Sequence, residues 1–228
     1  MRVYEQATRA PTATEPTPFT LPEPRRLEGF SDAAFSIIIT LLVLEIHRPH
    51  AAPGQLGREL LNAWTSYVAY AVAFIYVGVI WLNHHYLFDR LRRIDIATNW
   101  INLGIIGTAA LIPFPTGVLA DALREGSIDD QRAAIVLYAS IASLMSVAWL
   151  PALWYLLRHS ELSKPQLPSA ALVSEMARPI VGILLYFLGA VLGWYVHPLI
   201  GVAIFVLVVA FYAWTSQGAF VLGQPGRR

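Results

Sequence analysis

RLEGFSDAAFSIIITLLVLEI, residues 26 to 46, decides how the rest of the chain is read. Between Asp32 and Glu45 stand the uncharged residues Ala33 to Leu44. As a helix they rise about 18 Å at about 1.5 Å per residue, well short of a hydrocarbon core of about 30 Å. If this segment crosses a bilayer, a charge sits close to or inside it. Asp32, and with it Glu45, is therefore expected to point into a bundle or a water-filled vestibule. Within the run, Ile37, Thr40, Leu41 and Leu44 stand at i, i+3, i+4 and i+7, one face of a helix that carries a single hydroxyl in an apolar stripe. By spacing alone this is a packing stripe, with Thr40 bonded back to its own helix.

The sequence around that helix is equally apolar. Of 228 residues 56% are hydrophobic and 14% charged, which is membrane rather than cytosolic composition. Leu60 to Asn83, Ile96 to Ala120, Ala133 to Leu157, Pro179 to Val196 and Pro198 to Leu222 contain no Asp, Glu, Lys or Arg. Each is long enough to span. Together with the first segment they predict six helices, at about 27 to 47, 58 to 88, 95 to 120, 130 to 157, 169 to 193 and 197 to 221. Residues 1–24, rich in Pro, Thr and Glu, read as a flexible tail rather than a signal peptide, 25–222 as one transmembrane domain without internal repeats, and 223–228 as a short tail. A net charge of +1 gives no reason to expect nucleic acid, and the lack of cysteine excludes disulfides and thiolate metal sites.

Six spans put both termini on one side. Grouping the tails with the connections near 89 to 94 and 158 to 168 collects Arg25, Arg26, Arg90, Arg92, Arg93, Arg158, Lys164, Arg178 and the tail arginines, whereas the other side keeps only Arg48, Arg58, Arg124 and Arg132. That asymmetry predicts a multi-pass protein of the cell's inner (plasma) membrane with cytoplasmic termini. The residues near 121 to 130, with Asp121, Glu125, Asp129 and Asp130, read as an acidic outer loop, a solvated one in the plainer reading. Kinks are expected at Pro113, Pro115 and Pro151. Trp64, Trp81, Trp100, Trp154 and Trp194 suit interfacial belts.

The segment from Arg26 to Ile46 closely resembles the R-x-x-x-F-S-D first helix of the prokaryotic relatives of the lysosomal potassium channel, the transmembrane protein 175 family. Arg26, Phe30, Ser31 and Asp32 fill the motif. TLLVLEI continues the likeness, with weaker echoes in WLNHHYLF at 81 to 88 and LIPFPT at 111 to 116. The resemblance implies an all-α membrane protein that forms a homotetramer, six transmembrane helices per subunit, with the first helix of each lining a central pore. It also implies a potassium-selective channel without a carbonyl filter and with modest preference for K over Na. Carried over, Ile37 is the constriction and gate, Leu41 and Leu44 extend the apolar wall, and Thr40 contributes to selectivity. No permanent metal or cofactor is implied, only potassium ions passing Ile37 and Thr40. Arg26, Phe30, Ser31 and Asp32 support the pore, and His84 or His85 is expected to donate to Asp32.

Two rivals remain at this stage. A membrane enzyme built on Asp32, His84 and His85 suffers because adjacent histidines project about 100° apart on a helix. A proton-conducting leak or a secondary transporter is the other alternative, though helices two to six carry almost no midplane charge. No nucleotide, calcium or voltage-sensing segment, and no small-molecule substrate, is read from the chain.

Overall fold

The computed structural model describes residues 23–165 and 169–216. The tails expected at 1–24 and 223–228 lie outside them, apart from Glu23 and Pro24, as does the sixth predicted helix beyond 216. Among the described residues six helical spans are long and apolar enough to cross a membrane: Arg25–Glu45, Trp64–Asp89, Ile96–Glu125, Ile128–Arg158, Ala170–Tyr195 and Pro198–Thr215.

Several spans differ in detail from the sequence expectation. The first is α1 (Arg25–Leu41), which tightens into a 3₁₀ turn over Leu42–Glu45. The helix expected over 58 to 88 divides at Ala63 into α2 (Leu56–Asn62) and α3 (Trp64–Asp89). No residue of α2 is buried, and its Arg58, Glu59 and Asn62 favour water, so it does not continue the span. The next span divides at Leu111 and Ile112 into α4 (Ile96–Ala110) and α5 (Pro113–Glu125). Pro113 and Pro115 cannot donate backward, and both occupy the first turn of α5, where no donor is required. By contrast α6 (Ile128–Arg158) runs unbroken through Pro151, whose ring is exposed on the bundle surface. The bundle closes with α7 (Ser169–Tyr195) and α8 (Pro198–Thr215).

The acidic stretch is not a loop. Asp121 and Glu125 belong to α5 and Asp129 and Asp130 to α6, with Gly126 and Ser127 alone between the helices. Ser127 and Asp130 form a reciprocal capping box, and carboxylates in the first turn of α6 complement its dipole.

Packing places α1 against α3 and α4, α5 against α3 and α6, and α7 between α6 and α8. One apolar core joins these helices, with Phe35, Leu42, Tyr76, Ile105, Ile135 and Tyr186 completely or almost completely enclosed. The connections after α3 and α6 meet at one end: Arg92 donates its backbone N–H to Leu162 O at 2.7 Å and Lys164 to Arg90 O at 2.8 Å. Arg90, Arg92, Arg93, Arg158 and Lys164 make this the basic end. There Asp95 caps α4 by accepting from Thr98 N at 2.8 Å and also accepts from Tyr155 Oη. Burial works to raise the Asp95 carboxyl, but those hydrogen bonds outweigh it and hold the group below the ordinary aspartate value. At the opposite end His47 lies 3.2 Å from Asp121, and Gly117 of α5 leaves room for the Glu45 carboxylate, with which a methyl group would collide. Glu45 is thus half-buried against α5.

Candidate functional site

The two faces of α1 have separate tasks. Ser31, Phe35 and Ile38, followed by Leu42, turn inward and are buried. Opposite them, Ile37 is 60% exposed, Leu41 41% and Leu44 67%, and Thr40 is exposed beside them. The predicted stripe does lie on one face, and among the described residues that face is largely uncovered. Arg26, Phe30 and Ala33 extend it toward the basic end. Along Arg26, Phe30, Ala33, Ile37, Thr40 and Leu44 the steps alternate between four and three residues, the seam spacing of helices wound around a common axis. Thr40 donates to Ile37 O at 2.8 Å, which leaves its oxygen lone pairs toward the open side.

The inward face is held by polar contacts that the motif only partly announces. Ser31 donates to Leu27 O at 2.8 Å within α1 and accepts from Asn102 Nδ2 of α4 at 3.1 Å. Asn102 Oδ1 in turn lies 2.6 Å from His84 Nε2 of α3, so His84 donates from that nitrogen. Asn102 is fully buried and His84 is 1% exposed, which makes this a closed knot joining α1, α3 and α4. The His84 ring stacks on Phe88 at 4.1 Å and tilts against Phe35 at 5.3 Å.

Asp32 takes its hydrogen bond from neither of the two histidines expected to donate to it. Its Oδ1 accepts from Trp81 Nε1 at 2.8 Å, while His85 Nδ1 stands 4.0 Å away, an ion-pair distance rather than a hydrogen bond. The reason is angular. His84 and His85 leave α3 about 100° apart, so only one of them shares the face of Trp81, and that is His85, four residues along. Trp81 consequently serves as a donor inside the bundle and not as a belt residue, whereas Trp64, Trp100 and Trp154 are exposed. Sequence reasoning missed Trp81 as a partner and missed Asn102 altogether. Asn102, one of two amides with Asn99 in the uncharged run Ile96 to Ala120, was the available signal, since a buried polar side chain must find partners. Among the described residues no cluster of three His, Asp or Glu side chains is placed to hold a metal ion.

Comparison with known proteins puts this geometry in a family. A profile described as the endosomal/lysosomal potassium channel TMEM175 matches residues 26–113, which contain α1 from its second residue on, the Asp32–Trp81 contact and the Asn102 knot. A protein of Streptomyces collinus named as a potassium channel is 37% identical over 178 residues, covering 78% of this chain and 85% of that one. The chain belongs to the TMEM175 family. A crystal structure described as a lysosomal potassium-selective channel TMEM175 homolog from Chamaesiphon minutus superposes with a TM-score of 0.72 at 27% identity, covering 85% of this chain and 97% of the other. The rat TMEM175, named an endosomal/lysosomal proton channel, is 29% identical over 127 residues, which span 50% of this chain and 26% of that protein. TMEM175 membership makes the chain a multi-pass membrane protein of an ion-channel family, whose expected six-helix fold is the one observed.

Proposed function

We propose that this TMEM175-family member is a potassium-selective channel of the plasma membrane, with cytoplasmic termini and four chains arranged so that their α1 helices line one pore. The observation that carries the reading is the unpartnered face of α1: an apolar stripe with one hydroxyl, on a helix whose flanking carboxylates turn toward its own bundle. A ring of Ile37 side chains gates by dewetting, because a narrow apolar wall disfavours a continuous water column and an ion does not cross without hydration. Leu41 and Leu44 continue that wall toward the acidic end. At Thr40 the hydroxyl oxygens replace part of the lost hydration shell, and potassium, the more weakly hydrated ion, gives up its water at lower cost than sodium. Arg26 and Phe30 continue the shared face, while Ser31, Asp32, His84 and His85 set the angle of α1 against α3 and α4. Names given to bacterial relatives and to the Chamaesiphon structure support potassium as the permeant ion.

The test is cation flux into liposomes holding purified protein, with the mass of the assembly measured in the same detergent. The reading expects tetramers that pass potassium faster than sodium. Equal rates, or flux from monomers, overturn it. The rat relative's name favours a second reading, proton conduction along transient water in the same pore. A pH-sensitive dye inside the same liposomes, with potassium clamped by an ionophore, detects that current separately.

A further inference from the structure

In the half of the bundle nearer the acidic end, four helices pack in a ring: α3 on α5, α5 on α6, α6 on α8, and α8 back on α3. Inside the ring lies a cavity of about 540 Å³, more than three times the about 150 Å³ in which an engineered core holds benzene. The volume falls within the about 300–1,000 Å³ usual for small-molecule sites. Along α6 the cavity runs from Ile128 to Tyr138, about 15 Å at about 1.5 Å per residue. It stays open because α3 and α8 line it with short side chains, Thr65, Val68, Ala69 and Val72 from one and Val202 and Val206 from the other. Trp64, Thr65 and Leu123 also border the polar vestibule lined by Asp121, Arg124 and Glu125, so the cavity opens toward water at that end.

Two properties of the wall select an occupant. No Asp, Glu, Lys or Arg among the described residues lines it, so an ion inside would lose its hydration without gaining a counter-charge. The occupant is therefore uncharged. A helix, about 10 Å across, does not enter a ring of helices already packed on one another, which leaves a single small molecule. The second property is a hydroxyl at the inner end. Thr116, Gln131 and His197 are bonded to backbone groups, and the Thr65 hydroxyl is sealed from the cavity. Tyr138 differs: it is 5% exposed, its ring is stacked on Phe205 at 5.1 Å, and its hydroxyl makes no hydrogen bond among the described residues. An enclosed hydroxyl without an acceptor is costly, and an oxygen on the guest at that depth removes the cost.

We propose that this cavity binds an uncharged, rigid, mainly hydrocarbon molecule whose buried end carries a carbonyl or ether oxygen that accepts from Tyr138 Oη. No residue of α1 lines the cavity, and the proposal does not rest on the channel reading.

Equilibrium binding of tritiated progesterone, an uncharged polycycle with a ketone at each end, tests it on the purified full chain in phosphatidylcholine nanodiscs, with empty nanodiscs subtracted. Saturable binding of one molecule per chain is expected. Y138F keeps the ring and deletes the donor, and should bind about fivefold more weakly, the factor for a neutral hydrogen bond of ordinary strength. A69F fills the cavity and should abolish saturable binding; Y138F carries the test if A69F does not fold. Absence of saturable binding to wild type overturns the proposal, as does an affinity unchanged in either variant. A phospholipid retained through delipidation by wild type but not by A69F, and blocking the steroid, also overturns it, in favour of a bilayer acyl chain.

Discussion

The two faces of α1 carry residues of nearly the same kinds and meet opposite fates. Inward, Ser31 and Asp32 are engaged by Asn102 and Trp81, while Phe35, Ile38 and Leu42 are packed away. Outward, Thr40 bonds within its own helix among the described residues, and Ile37, Leu41 and Leu44 are left exposed there. Exposure by itself does not say what covers a face, since α8 also leaves Leu199, Leu207 and Trp214 uncovered. Chemistry separates the two. The exposed residues of α8 are apolar and end in a tryptophan, as a lipid-facing surface does, whereas the α1 stripe interleaves Arg26 and Thr40 with its apolar residues. From this contrast the inner face of α1 is expected to govern stability and the outer face conduction, and substitutions divide accordingly.

The largest effect is expected on the inner face. Asn102→Leu removes the acceptor of His84 and the donor to Ser31 in a fully buried place, and a buried group left unsatisfied costs about 1–3 kcal/mol. Thermal unfolding in detergent should begin at a clearly lower temperature. An unchanged midpoint would remove the knot from the account of how α1 is held.

On the outer face the strongest change is Ile37→Asn, which wets the proposed constriction. Lowering the barrier by about 1.4 kcal/mol raises potassium flux about tenfold. Leu207→Asn on α8 makes the same chemical change on a face assigned to lipid and should leave flux near the wild-type level. Similar increases in both variants would erase the distinction between the two exposed surfaces.

How far the sequence already showed this division varies from residue to residue. The stripe of Ile37, Thr40, Leu41 and Leu44 was legible because helical periodicity needs no tertiary knowledge. So was the inward turn of Asp32, since a carboxylate at membrane depth has few tolerable surroundings. Its partner was not legible. Rotation of α3 about its axis chooses between the faces of His84 and His85, and its height against α1 chooses between Trp81 and His85 on one face; packing sets both and periodicity neither. Asn102 escaped for a related reason: amides are tolerated in spans, and only the assembled core shows that three helices converge on this one. Breaks at Ala63 and at Leu111 were similarly hidden inside uncharged runs, though the prolines of LIPFPT announced the second.

A smaller effect is expected from Trp81→Phe, which keeps the ring and deletes the donor to Asp32. The carboxylate is 42% exposed, so water takes over part of the role and the cost should be about 1 kcal/mol rather than the full value for a charged acceptor. Unfolding should shift modestly, and the K to Na ratio should not shift at all. A changed ratio would mean that the inner face also tunes the pore and would blur the contrast from that side.

The smallest and most specific effect belongs to Thr40→Ala. The hydroxyl bonds the carbonyl of Ile37 at 2.8 Å, on an exposed face, so its loss strands no buried group and should leave unfolding unchanged. What alters is the supply of oxygens beside the constriction. If each hydroxyl favours potassium over sodium by a fraction of the about 0.5 kcal/mol at the low end of a net hydrogen bond, the flux ratio falls about twofold, toward equality. Flux through Ile37 itself should persist, because the apolar ring is intact. An unaltered ratio would leave discrimination to the width of the apolar constriction alone, and the outer face of α1 would then be a gate with no chemical preference of its own.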